Sequence, residues 1–435
     1  MLGLFLYIYF MNINTLHTLF LACDNVSTDT RKITENDMFF ALKGDHFNGN
    51  TFAVKALELG AKYVIVDEVE YKTSKNIILV TNVLETLQKL ATYHRSFLNI
   101  PIIALTGSNG KTTTKELINA AVSQTYNTTA TIGNLNNHIG VPLTLLSMTK
   151  NTEIGIVEMG ANHLEEIAFL CSIAKPDYGY ITNFGKAHLE GFGSIKGVIK
   201  GKTELYTYLK QHNKVIFINK NDALQVEHSN NVKTFSFSND TTADVSVYLM
   251  STEPFISVNY KNEIIKTQLI GAYNFNNISA AVCIASYFKV GETAIKKGLE
   301  CYTPSNNRSQ IIEKNGTKII LDAYNANPTS MTAALENLSN LKAASKVAIL
   351  GDMFELGSEA KNEHNVIATL ANTLNIDKIL LVGENFYTTT IDSNKIKRYR
   401  TFEDFKDSFD LRPNNTTLLI KGSRGMALER VLNLL

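Results

Sequence analysis

The feature that most constrains the fold is a glycine-rich loop between a buried strand and a helix. The apolar run Ile102-Ile103-Ala104-Leu105 is typical of a buried strand, and it continues into Thr106-Gly107-Ser108-Asn109-Gly110-Lys111-Thr112 and a helical pattern from Thr113. Backbone N–H groups of such a loop and the positive end of the helix bind phosphate oxygens, while its lysine contacts the terminal phosphates and its threonine hydroxyl ligates Mg²⁺. The sequence therefore predicts an α/β fold with a nucleoside triphosphate site.

The predicted loop is a shortened variant of the usual phosphate-binding motif. The usual motif would have its first glycine at position 105, where this chain has Leu105. We predict that Gly107 and Asn109 make the tight turn instead. The predicted phosphate-binding residues are Gly107, Ser108, Asn109, Gly110, Lys111, Thr112 and Thr113. The alternative is a strand-to-helix turn that carries a lysine by chance, and the flanking strand and helix argue against it.

The composition indicates a large folded protein without a strong net charge. At roughly 150 residues per domain, 435 residues suggest about three domains. Lys and Arg total 42 and Asp and Glu total 41, a formal charge of +1, so no global field attracts nucleic acid or an anionic membrane. With 44% hydrophobic residues, 19% charged residues and only 7 prolines, disorder is excluded as the main state.

Cysteine usage and the apolar N-terminal stretch favour a cytoplasmic protein. The four cysteines are scattered, without CxxC pairs or zinc spacing, so we predict reduced, buried thiols at Cys23, Cys171, Cys283 and Cys301. The stretch 2–10 is too short to span a bilayer and lacks the basic region and cleavage site of a signal peptide. Translation starts at Met1 or, as an alternative, at Met11, which precedes a plausible amphipathic helix.

Apolar runs and turn residues divide the chain into three blocks, at 1–99, 100–303 and 304–435. Predicted strands lie at 38–42, 63–66, 77–80, 102–105, 154–157, 178–181, 214–218, 318–321, 347–350, 378–382 and 417–420, and predicted helices at 52–59, 164–172 and 278–287. Strands that alternate with helices predict parallel sheets. We therefore predict a small mixed α/β N-terminal domain, a central P-loop domain with a parallel sheet, and a C-terminal Rossmann-like α/β domain.

Two polar residues follow strands of the predicted central sheet. Glu158 comes directly after the strand ending at Val157, and His188 follows the strand ending at Ile181. Because ligands bind at the carboxyl ends of parallel strands, both side chains would project toward the phosphate loop. One carboxylate and one imidazole could hold a divalent metal, although Mg²⁺ prefers oxygen ligands. Taken singly, each residue would be read as a helix cap or a surface residue.

Four motifs together carry a family resemblance: Thr106 to Thr114, Glu158-Met159-Gly160, Asn183 to His188, and Arg308. This combination resembles the Mur ligase family, ATP-dependent amide-forming enzymes of peptidoglycan precursor synthesis. Further segments resemble the branch that attaches D-alanyl-D-alanine to UDP-N-acetylmuramoyl-tripeptide; they are Ser27 to Arg31, Phe39 to Gly44, Asp322 to Met331, and Gly351-Asp352-Met353. The resemblance covers nearly the whole chain and implies a ligase that acts on these two substrates. We further expect a cytoplasmic monomer without nucleic acid or membrane insertion.

The resemblance assigns residues to ATP and magnesium. The implied catalytic residues are Lys111, Glu158, His188, Lys202 and Arg308, and the implied ligands of two Mg²⁺ ions are Thr112, Glu158, His188 and Lys202. Lys202 matches a lysine that is carbamylated in the family, and a carbamate is an anion that can hold a metal where an ammonium would be repelled. Asn274 and Asn277 match asparagines near the adenine, Arg308 an arginine that reaches the nucleotide phosphates, and Asp322 an acid that binds the ribose.

The resemblance also assigns substrate-binding residues. These are Ser27, Thr28 and Arg31 for the uridine diphosphate; Asn134, Asn136 and Asn137 for the muramoyl peptide; and Asn325, Asn327 and Arg424 for the dipeptide. Each assignment has a plainer alternative. The asparagines at 274 and 277 could be helix N-caps, Arg308 and Asp322 could form surface ion pairs, and the lysines around position 202 could be a solvated helix face. Lys186, beside His188, has no role in this assignment.

The implied reaction activates the tripeptide carboxylate as an acyl phosphate, which the dipeptide amine then attacks. Both steps bring anions together, so the task of the protein is neutralisation and positioning. We expect ATP to close the third block onto the second, which would exclude water from the acyl phosphate. The alternatives are a folylpolyglutamate-type ligase, a P-loop NTPase switch or kinase, and a non-catalytic scaffold.

Overall fold

The computed structural model describes residues 11–305, 307–409 and 415–435. The alternative start therefore concerns residues 1–10, which lie outside the described residues. The described chain forms two compact units that interleave in sequence. The first unit comprises Met1–Ala104, Asn127–Met159 and Ala168–Asp177, and the second comprises Leu105–Tyr126, Gly160–Ile167 and Tyr178–Leu435, in both cases as far as these ranges are described.

The helices and strands alternate along most of the chain. The α-helices are α1 (Ile13–Phe20), α2 (Ala53–Glu58), α3 (Val83–Leu98), α4 (Lys111–Val122), α5 (Gly140–Leu146), α6 (Glu166–Ala174), α7 (Leu189–Phe192), α8 (Ile195–Gln211), α9 (Ala223–His228), α10 (Asn274–Tyr287), α11 (Glu292–Cys301), α12 (Pro328–Asn340), α13 (Ala360–Thr373), α14 (Glu384–Tyr387) and α15 (Phe402–Asp407). The strands are β1 (Val26–Ser27), β2 (Met38–Phe40), β3 (Lys43–Gly44), β4 (Phe47–Asn48), β5 (Tyr63–Val66), β6 (Ile77–Leu79), β7 (Ile102–Thr106), β8 (Thr128–Ala130), β9 (Ile154–Glu158), β10 (Tyr178–Ile181), β11 (Val215–Asn219), β12 (Lys233–Ser238), β13 (Val245–Ser251), β14 (Ser257–Tyr260), β15 (Glu263–Lys266), β16 (Gln310–Lys314), β17 (Thr317–Asp322), β18 (Ser345–Gly351), β19 (Lys378–Val382), β20 (Ile396–Tyr399) and β21 (Thr416–Lys421).

The first unit contains a four-stranded parallel sheet in the order β1-β2-β5-β6. Its strands are apolar runs such as Tyr63–Val66, and one face packs on Ala53 and Ala56 from α2. Such continuous apolar strands are expected where both faces of a parallel sheet are covered. The same unit carries the parallel pair β8 and β9, and Gly155 N–H donates to Pro101 O at 2.9 Å beside the start of β7.

The second unit contains a long sheet and a six-stranded sheet. In the long sheet the order within this unit is β15-β14-β13-β12-β11-β10 and then the end of β7, with parallel pairing from β10 to β13 and antiparallel pairing from β13 to β15. The six-stranded sheet has the order β16-β17-β21-β18-β19-β20, and its pairs are parallel except for the edge pair β16 and β17. The predicted α/β fold with parallel sheets is confirmed.

The predicted strands are found with shifts at their ends, but further strands were not predicted: β1, β3, β4, β8, β12, β13, β14, β15, β16 and β20. The strand predicted at 38–42 ends at Phe40 because the chain turns there, with Leu42 N–H donating to Phe40 O at 2.9 Å. The helix predicted at 52–59 is a 3-10 turn at Gly49–Phe52 followed by α2. The helix predicted from Thr113 starts earlier, at Lys111. These shifts do not change the order of strands and helices.

The cysteine prediction is only partly right. The four cysteines are free thiols, and Cys171 and Cys283 are buried as predicted. Cys23 is partly exposed and Cys301 is exposed, so the prediction of burial is wrong for these two cysteines. Cys301 ends the amphipathic helix α11, whose buried face is formed by Ile295, Gly298 and Leu299. In the part of the chain that is described, no helix is long and apolar enough to cross a membrane.

Candidate functional site

The glycines of the phosphate loop are required by its geometry. Gly107 has φ +141° and Gly110 has φ +77°, both in the left-handed region that side chains disfavour. A Cβ atom on Gly107 would lie 2.0 Å from Thr182 Oγ1, and one on Gly110 would lie 2.7 Å from Asn277 Oδ1. Gly107 and Gly110 are therefore the two positions of the loop that require glycine, and Asn109, which is predicted to share the turn with Gly107, lies in the bend between them.

The loop is fixed by the segment that follows β10. Ser108 N–H donates to Asn183 O at 3.1 Å, and Asn109 N–H donates to Asn183 Oδ1 at 3.0 Å. In return, Thr182 Oγ1 and Asn183 Nδ2 donate to Asn109 O at 2.6 and 2.9 Å. These bonds satisfy the loop backbone on one side and hold its shape before any ligand binds.

Lys111 and Thr112 open helix α4 directly after the loop. Lys111 Nζ lies over the loop, where it donates to Gly107 O at 2.8 Å and to Ser108 O at 3.3 Å. Thr112 is buried, with 4% of its surface exposed. The helix N-terminus adds a partial positive charge at the same place. The predicted phosphate-binding residues are therefore gathered around one helix end.

The loop is also connected to the third block. Asn327 Nδ2 donates to Asn109 Oδ1 at 2.7 Å, and Asn109 Nδ2 donates back to Asn327 Oδ1 at 3.4 Å. Asn327 is in addition the N-cap of α12, where its side chain accepts from Ser330 N–H at 2.9 Å. One asparagine thus both caps a helix and contacts the phosphate loop from 218 residues away.

The segment from Asn183 to His188 contacts two glutamates of the third block. Lys186 Nζ lies 2.5 Å from Glu363 Oε1, whose side chain is 5% exposed, and Lys186 N–H donates to Thr329 Oγ1 at 3.0 Å. His188 Nδ1 lies 2.6 Å from Glu355 Oε2, and this contact lowers the pKa of Glu355. Lys186, which had no role in the sequence assignment, therefore neutralises a buried carboxylate.

Lys202 is fully buried on helix α8. Its Nζ donates to Ala161 O at 2.9 Å and lies 5.0 Å from the centre of the Phe192 ring. Burial lowers the pKa of Lys202 well below its usual range, and the positive charge of Lys111 lowers it further. The alternative of a solvated helix face is wrong for this lysine, although it holds for the exposed Lys196 and Lys200 on the same helix.

Asn274 and Asn277 form a chain of amides between α10 and α4. Asn277 Nδ2 donates to Asn274 Oδ1 at 2.7 Å, and Thr114 Oγ1 donates to Asn277 Oδ1 at 3.0 Å. Asn274 Nδ2 donates to Ile270 O at 2.8 Å. The capping alternative is wrong for both, because the N-cap of α10 is Tyr273 and it makes no side-chain cap.

Arg308 and Asp322 do not pair with each other. The Arg308 guanidinium carbon lies 3.6 Å from the centre of the Tyr324 ring, and its buried Nε has no hydrogen-bond partner among the described residues. Asp322 pairs instead with the buried Lys421, at 2.6 Å between Oδ2 and Nζ. The ion-pair alternative thus holds for Asp322, but the pair is not on the surface. Sequence reasoning missed Lys421 as a partner of Asp322, although both residues end their strands in the same register.

In the first unit, Glu158 is tied to one of the predicted peptide-binding asparagines. Glu158 is 1% exposed, and its Oε1 accepts from Asn136 Nδ2 at 2.8 Å. Asn137 Oδ1 accepts from the N–H groups of Ile139 and Gly140, at 3.1 and 2.9 Å, and so shapes the turn into α5. The side chain of Asn134 is exposed. The three asparagines therefore have different surroundings.

The predicted uridine-diphosphate residues lie in a short turn after β1. Ser27 Oγ donates to Asp29 O at 3.0 Å, and Thr28 is partly exposed. Arg31 is exposed and donates from Nη2 to Asp29 Oδ2 at 2.8 Å. Side-chain hydrogen bonds from Arg31 lower the pKa of Asp29 to about 2. The turn therefore presents a guanidinium that already has an acidic neighbour.

The remaining predicted dipeptide residues lie at the carboxyl ends of β17 and β21. Asn325 Oδ1 accepts from Ala326 N–H at 2.9 Å, and Lys421 Nζ donates to Asn325 O at 3.2 Å. Arg424 is exposed and its Nη1 lies 2.9 Å from Glu429 Oε1. Among the described residues, no group of three or more His, Cys, Asp or Glu side chains is arranged to hold a metal ion. Any metal would depend in part on other donors, such as the hydroxyl of Thr112.

Comparison with known proteins points to one family along the chain. Residues 23–95 match the Mur ligase family catalytic domain, residues 105–285 the Mur ligase middle domain, and residues 307–424 the Mur ligase glutamate ligase domain. The chain is 34% identical, over 94% of its length and 92% of the relative, to UDP-N-acetylmuramoyl-tripeptide–D-alanyl-D-alanine ligase of Bacillus subtilis.

Solved structures agree with this similarity. A crystal structure of MurF from Acinetobacter baumannii superposes with a TM-score of 0.85 at 29% identity, covering 97% of this chain and 98% of the other. MurF ligase from Thermotoga maritima in complex with ADP superposes with a TM-score of 0.80 at 27% identity, covering 95% and 97%. From the phosphate loop, the sheets and these similarities together, we conclude that the chain belongs to the Mur ligase family.

Proposed function

We propose that the chain is an ATP-dependent amide ligase that joins D-alanyl-D-alanine to UDP-N-acetylmuramoyl-tripeptide, as its relatives are named to do. The observation that carries the proposal is the preformed phosphate loop, with Lys111 over it and Asn109 bonded to the third block. An amide ligase needs its nucleotide and its acceptor amine at one place, and this bond links the two segments assigned to them.

The proposed reaction has two steps. An oxygen of the tripeptide carboxylate attacks the γ-phosphorus of ATP, the bond to the β-γ bridging oxygen breaks, and ADP leaves. The D-alanyl-D-alanine amine then attacks the acyl carbon, phosphate leaves with that carboxylate oxygen, and the amine loses a proton. No residue of the protein acts as a nucleophile. Both steps gather negative charge, so we assign Lys111 and Arg308 to neutralise it.

The residues around the loop fit a nucleotide. Gly107 and Gly110 let the side chains of Thr182 and Asn277 approach the loop backbone where any Cβ atom would clash, and this packing holds the loop in a shape whose N–H groups can bind phosphate. Arg308 has a buried Nε with no partner among the described residues, and a phosphate oxygen would satisfy it. Asn274 and Asn277 retain amide hydrogens and lone pairs beyond the bonds described, so they can contact the base, and Asp322 can accept from a ribose hydroxyl.

The donor set also fits magnesium. Of the residues assigned to two Mg²⁺ ions, Thr112 and Glu158 carry the oxygen ligands that Mg²⁺ prefers. We assign His188 and carbamylated Lys202 to one of these ions. Carbamylation requires an uncharged amine, and the lowered pKa of Lys202 favours that form. When bound, magnesium would polarise the transferred phosphoryl group and offset its charge.

The substrate-binding residues remain those suggested by the resemblance. We propose that 1–99 is a domain that binds the uridine diphosphate through Ser27, Thr28 and Arg31, that 100–303 binds ATP, and that 304–435 binds the dipeptide. Asn134, Asn136 and Asn137 would contact the muramoyl peptide, and Asn325, Asn327 and Arg424 the dipeptide. We also propose a monomer in the cytoplasm, since the four free thiols fit a reducing compartment.

The test is ADP release by the purified chain with ATP, Mg²⁺ and UDP-N-acetylmuramoyl-tripeptide while the second substrate is varied. D-alanyl-D-alanine should raise the rate strongly, whereas single amino acids, including glutamate, should leave it near the background. Release that depends on glutamate would instead indicate a folylpolyglutamate-type ligase. Release that is independent of any amine would indicate a nucleotide switch and would overturn the proposal.

A further inference from the structure

Arg308 lies in a strained stretch of backbone. The residues on either side, Asn307 and Ser309, have left-handed backbones with φ +57° and +49°. This conformation is unfavourable for residues with a side chain, and it persists only where neighbouring groups hold it. The direction in which Arg308 points therefore depends on the groups that hold Ser309 and Asn307.

Ser309 is held by two groups from other segments. Its N–H donates to Asp322 Oδ1 at 3.1 Å, and its hydroxyl hydrogen-bonds with the Tyr273 hydroxyl at 2.9 Å. Ser309 is buried, so water competes little for these bonds. Burial raises the pKa of Tyr273 above its usual range, and the charge of Asp322 raises it further, so the hydroxyl keeps its proton.

Asp322 is in turn held by a buried lysine. Lys421 is 1% exposed, and its Nζ donates to Asp322 Oδ2 at 2.6 Å and to Asn325 O at 3.2 Å. The two carboxylate oxygens of Asp322 thus have separate partners, one being Lys421 and the other the N–H of Ser309. A continuous set of contacts runs from Lys421 through Asp322 and Ser309 to Tyr273.

The position of the Tyr273 ring is fixed by a nearby glycine. Gly271 has φ +79°, and a Cβ atom there would lie 2.3 Å from Tyr273 Cε1. The ring can rest against the backbone only because residue 271 has no side chain. The hydroxyl of Tyr273 is therefore presented to Ser309 from a rigid segment, immediately before the asparagines of α10.

We propose that Tyr273 and Lys421 are positioning residues that, through Ser309 and Asp322, fix the backbone at Arg308 and so aim its guanidinium at the nucleotide phosphates. The inference rests on the proposed function, in which Arg308 contacts those phosphates. The Arg308 guanidinium stacks on the Tyr324 ring, which fixes the orientation of its plane. The hydrogen bonds that hold the backbone of Ser309 fix its position. Neither Tyr273 nor Lys421 needs to touch the nucleotide.

The test is ADP affinity, measured by titration calorimetry on the full chain with Mg²⁺. Tyr273→Phe removes one hydroxyl and keeps the ring, so affinity should fall about fivefold, the effect of one net hydrogen bond, while Tm falls by no more than in the control variant. Tyr260→Phe is the matched control, because it removes a similar tyrosine–serine bond, 3.1 Å to Ser286 Oγ, at the far end of α10. It should bind ADP as the wild type does.

The double variant decides whether the effect passes through Arg308. In an Arg308→Ala background, Tyr273→Phe should cause no further loss of affinity, since the group that it positions is absent. Lys421→Gln should lower ADP affinity about tenfold, because it removes the buried positive charge that pairs with Asp322. Lys421→Arg keeps a positive charge there and should retain most of the wild-type affinity. If Lys421→Gln does not fold, the tyrosine variants decide alone.

Two results would overturn the inference while leaving the proposed function intact. One is wild-type ADP affinity in Tyr273→Phe, and the other is an equal loss of affinity with and without Arg308. Wild-type affinity in Arg308→Ala would likewise overturn it, since Arg308 would then not contact the nucleotide. Failure of the wild-type chain itself to bind ADP would instead overturn the proposed function, and this inference with it.

Discussion

The burial of Lys202 favours the neutral form of its amine. Removing an ammonium ion from water costs several kcal/mol unless a partner compensates it, yet this side chain is fully buried on α8. The Ala161 carbonyl and the Phe192 ring are weak compensation for a full charge. A neutral amine removes the difficulty, and a neutral amine is also the form that reacts with carbon dioxide.

We predict that Lys202→Ala lowers turnover by at least about 100-fold, the usual effect of removing one charged group that supports a transition state. Short-chain carboxylates such as acetate or propionate should restore part of the rate, because they can replace the missing carbamate. Initial rates of ADP release measure both effects. Lys200→Ala changes an exposed lysine on the same helix and should leave the rate unchanged. Full activity of Lys202→Ala would remove this residue from the mechanism.

At this scale, sequence patterns predict residues that belong to a local motif. The loop from Gly107 to Thr113 could be located because strand, glycines and helix are adjacent in sequence. The partners of Ser309 and Asp322 could not, since Tyr273 is 36 residues from Ser309 and Lys421 is 99 residues from Asp322. Only strand register and domain packing bring them together, and neither is encoded in a short pattern.

Among the helices, α12 depends on Asn327 for two separate contacts. The Asn327 side chain accepts from Ser330 N–H in a capping box and donates to Asn109 of the phosphate loop at 2.7 Å. A residue with a shorter side chain could still cap the helix but could not contact Asn109. The two roles can therefore be separated by substitution.

Asn327→Ser should keep the cap, because serine is also a preferred N-cap residue, and should change the free energy of unfolding little. Asn327→Ala should lose the cap and destabilise the protein by about 1 kcal/mol. Both variants lose the bond to Asn109, so both should lower kcat for ligation about fivefold, the effect of one hydrogen bond. Urea unfolding and steady-state rates separate the effects. Equal kcat in Asn327→Ser and the wild type would show that the amide pair is not needed.

A second element-scale feature is a pair of buried histidines between α1 and α3. His94 Nε2 must donate to Met148 O, at 2.9 Å, so His94 Nδ1 accepts from His17 Nε2–H at 3.0 Å. Burial lowers the pKa of His17 to about 4, with a further contribution from His94, whose own pKa burial also lowers. The folded first unit therefore favours two neutral imidazoles.

Because the folded-state pKa of His17 lies below its unfolded value near 6.5, the unfolded chain binds more protons between those values. We predict that this group lowers the free energy of unfolding progressively as pH falls from about 6.5 to 4, by roughly 3 kcal/mol in total. His17→Gln should show a shallower pH dependence than the wild type over this interval. Urea titrations at several pH values measure it, and identical slopes would contradict the prediction.

Element ends were harder to predict than element order. Helix α10 begins at Asn274, whereas the apolar run predicts a helix only from Ile278. The additional first turn is polar, and it is buried because its asparagines hydrogen-bond to each other and to α4. Buried polar residues do not produce the periodic apolar pattern from which a helix is predicted. Strands with a continuous apolar core can be located within about two residues, whereas strands such as β12 and β14, in which polar and apolar residues alternate, were not predicted.

For the molecule as a whole, amide ligation requires the nucleotide site and the amine site to lie close together. The phosphate loop and the third block lie in one compact unit, joined by Asn109 with Asn327 and by Lys186 with Glu363. We expect ATP and the tripeptide substrate to tighten this arrangement and exclude water from the acyl phosphate. Solution scattering should then give a smaller radius of gyration with both ligands than without them. Superimposable profiles would contradict the expected closure.

The central claim is that the tripeptide carboxylate is activated by phosphoryl transfer from ATP. The most direct measurement uses UDP-N-acetylmuramoyl-tripeptide whose terminal carboxylate carries ¹⁸O in both positions, with ATP, Mg²⁺ and D-alanyl-D-alanine. Mass spectrometry should find one ¹⁸O atom in each released phosphate and one retained in the new amide, because a carboxylate oxygen leaves with the phosphate. Phosphate that contains no ¹⁸O would mean that water, not the carboxylate, attacks ATP, and would contradict the account.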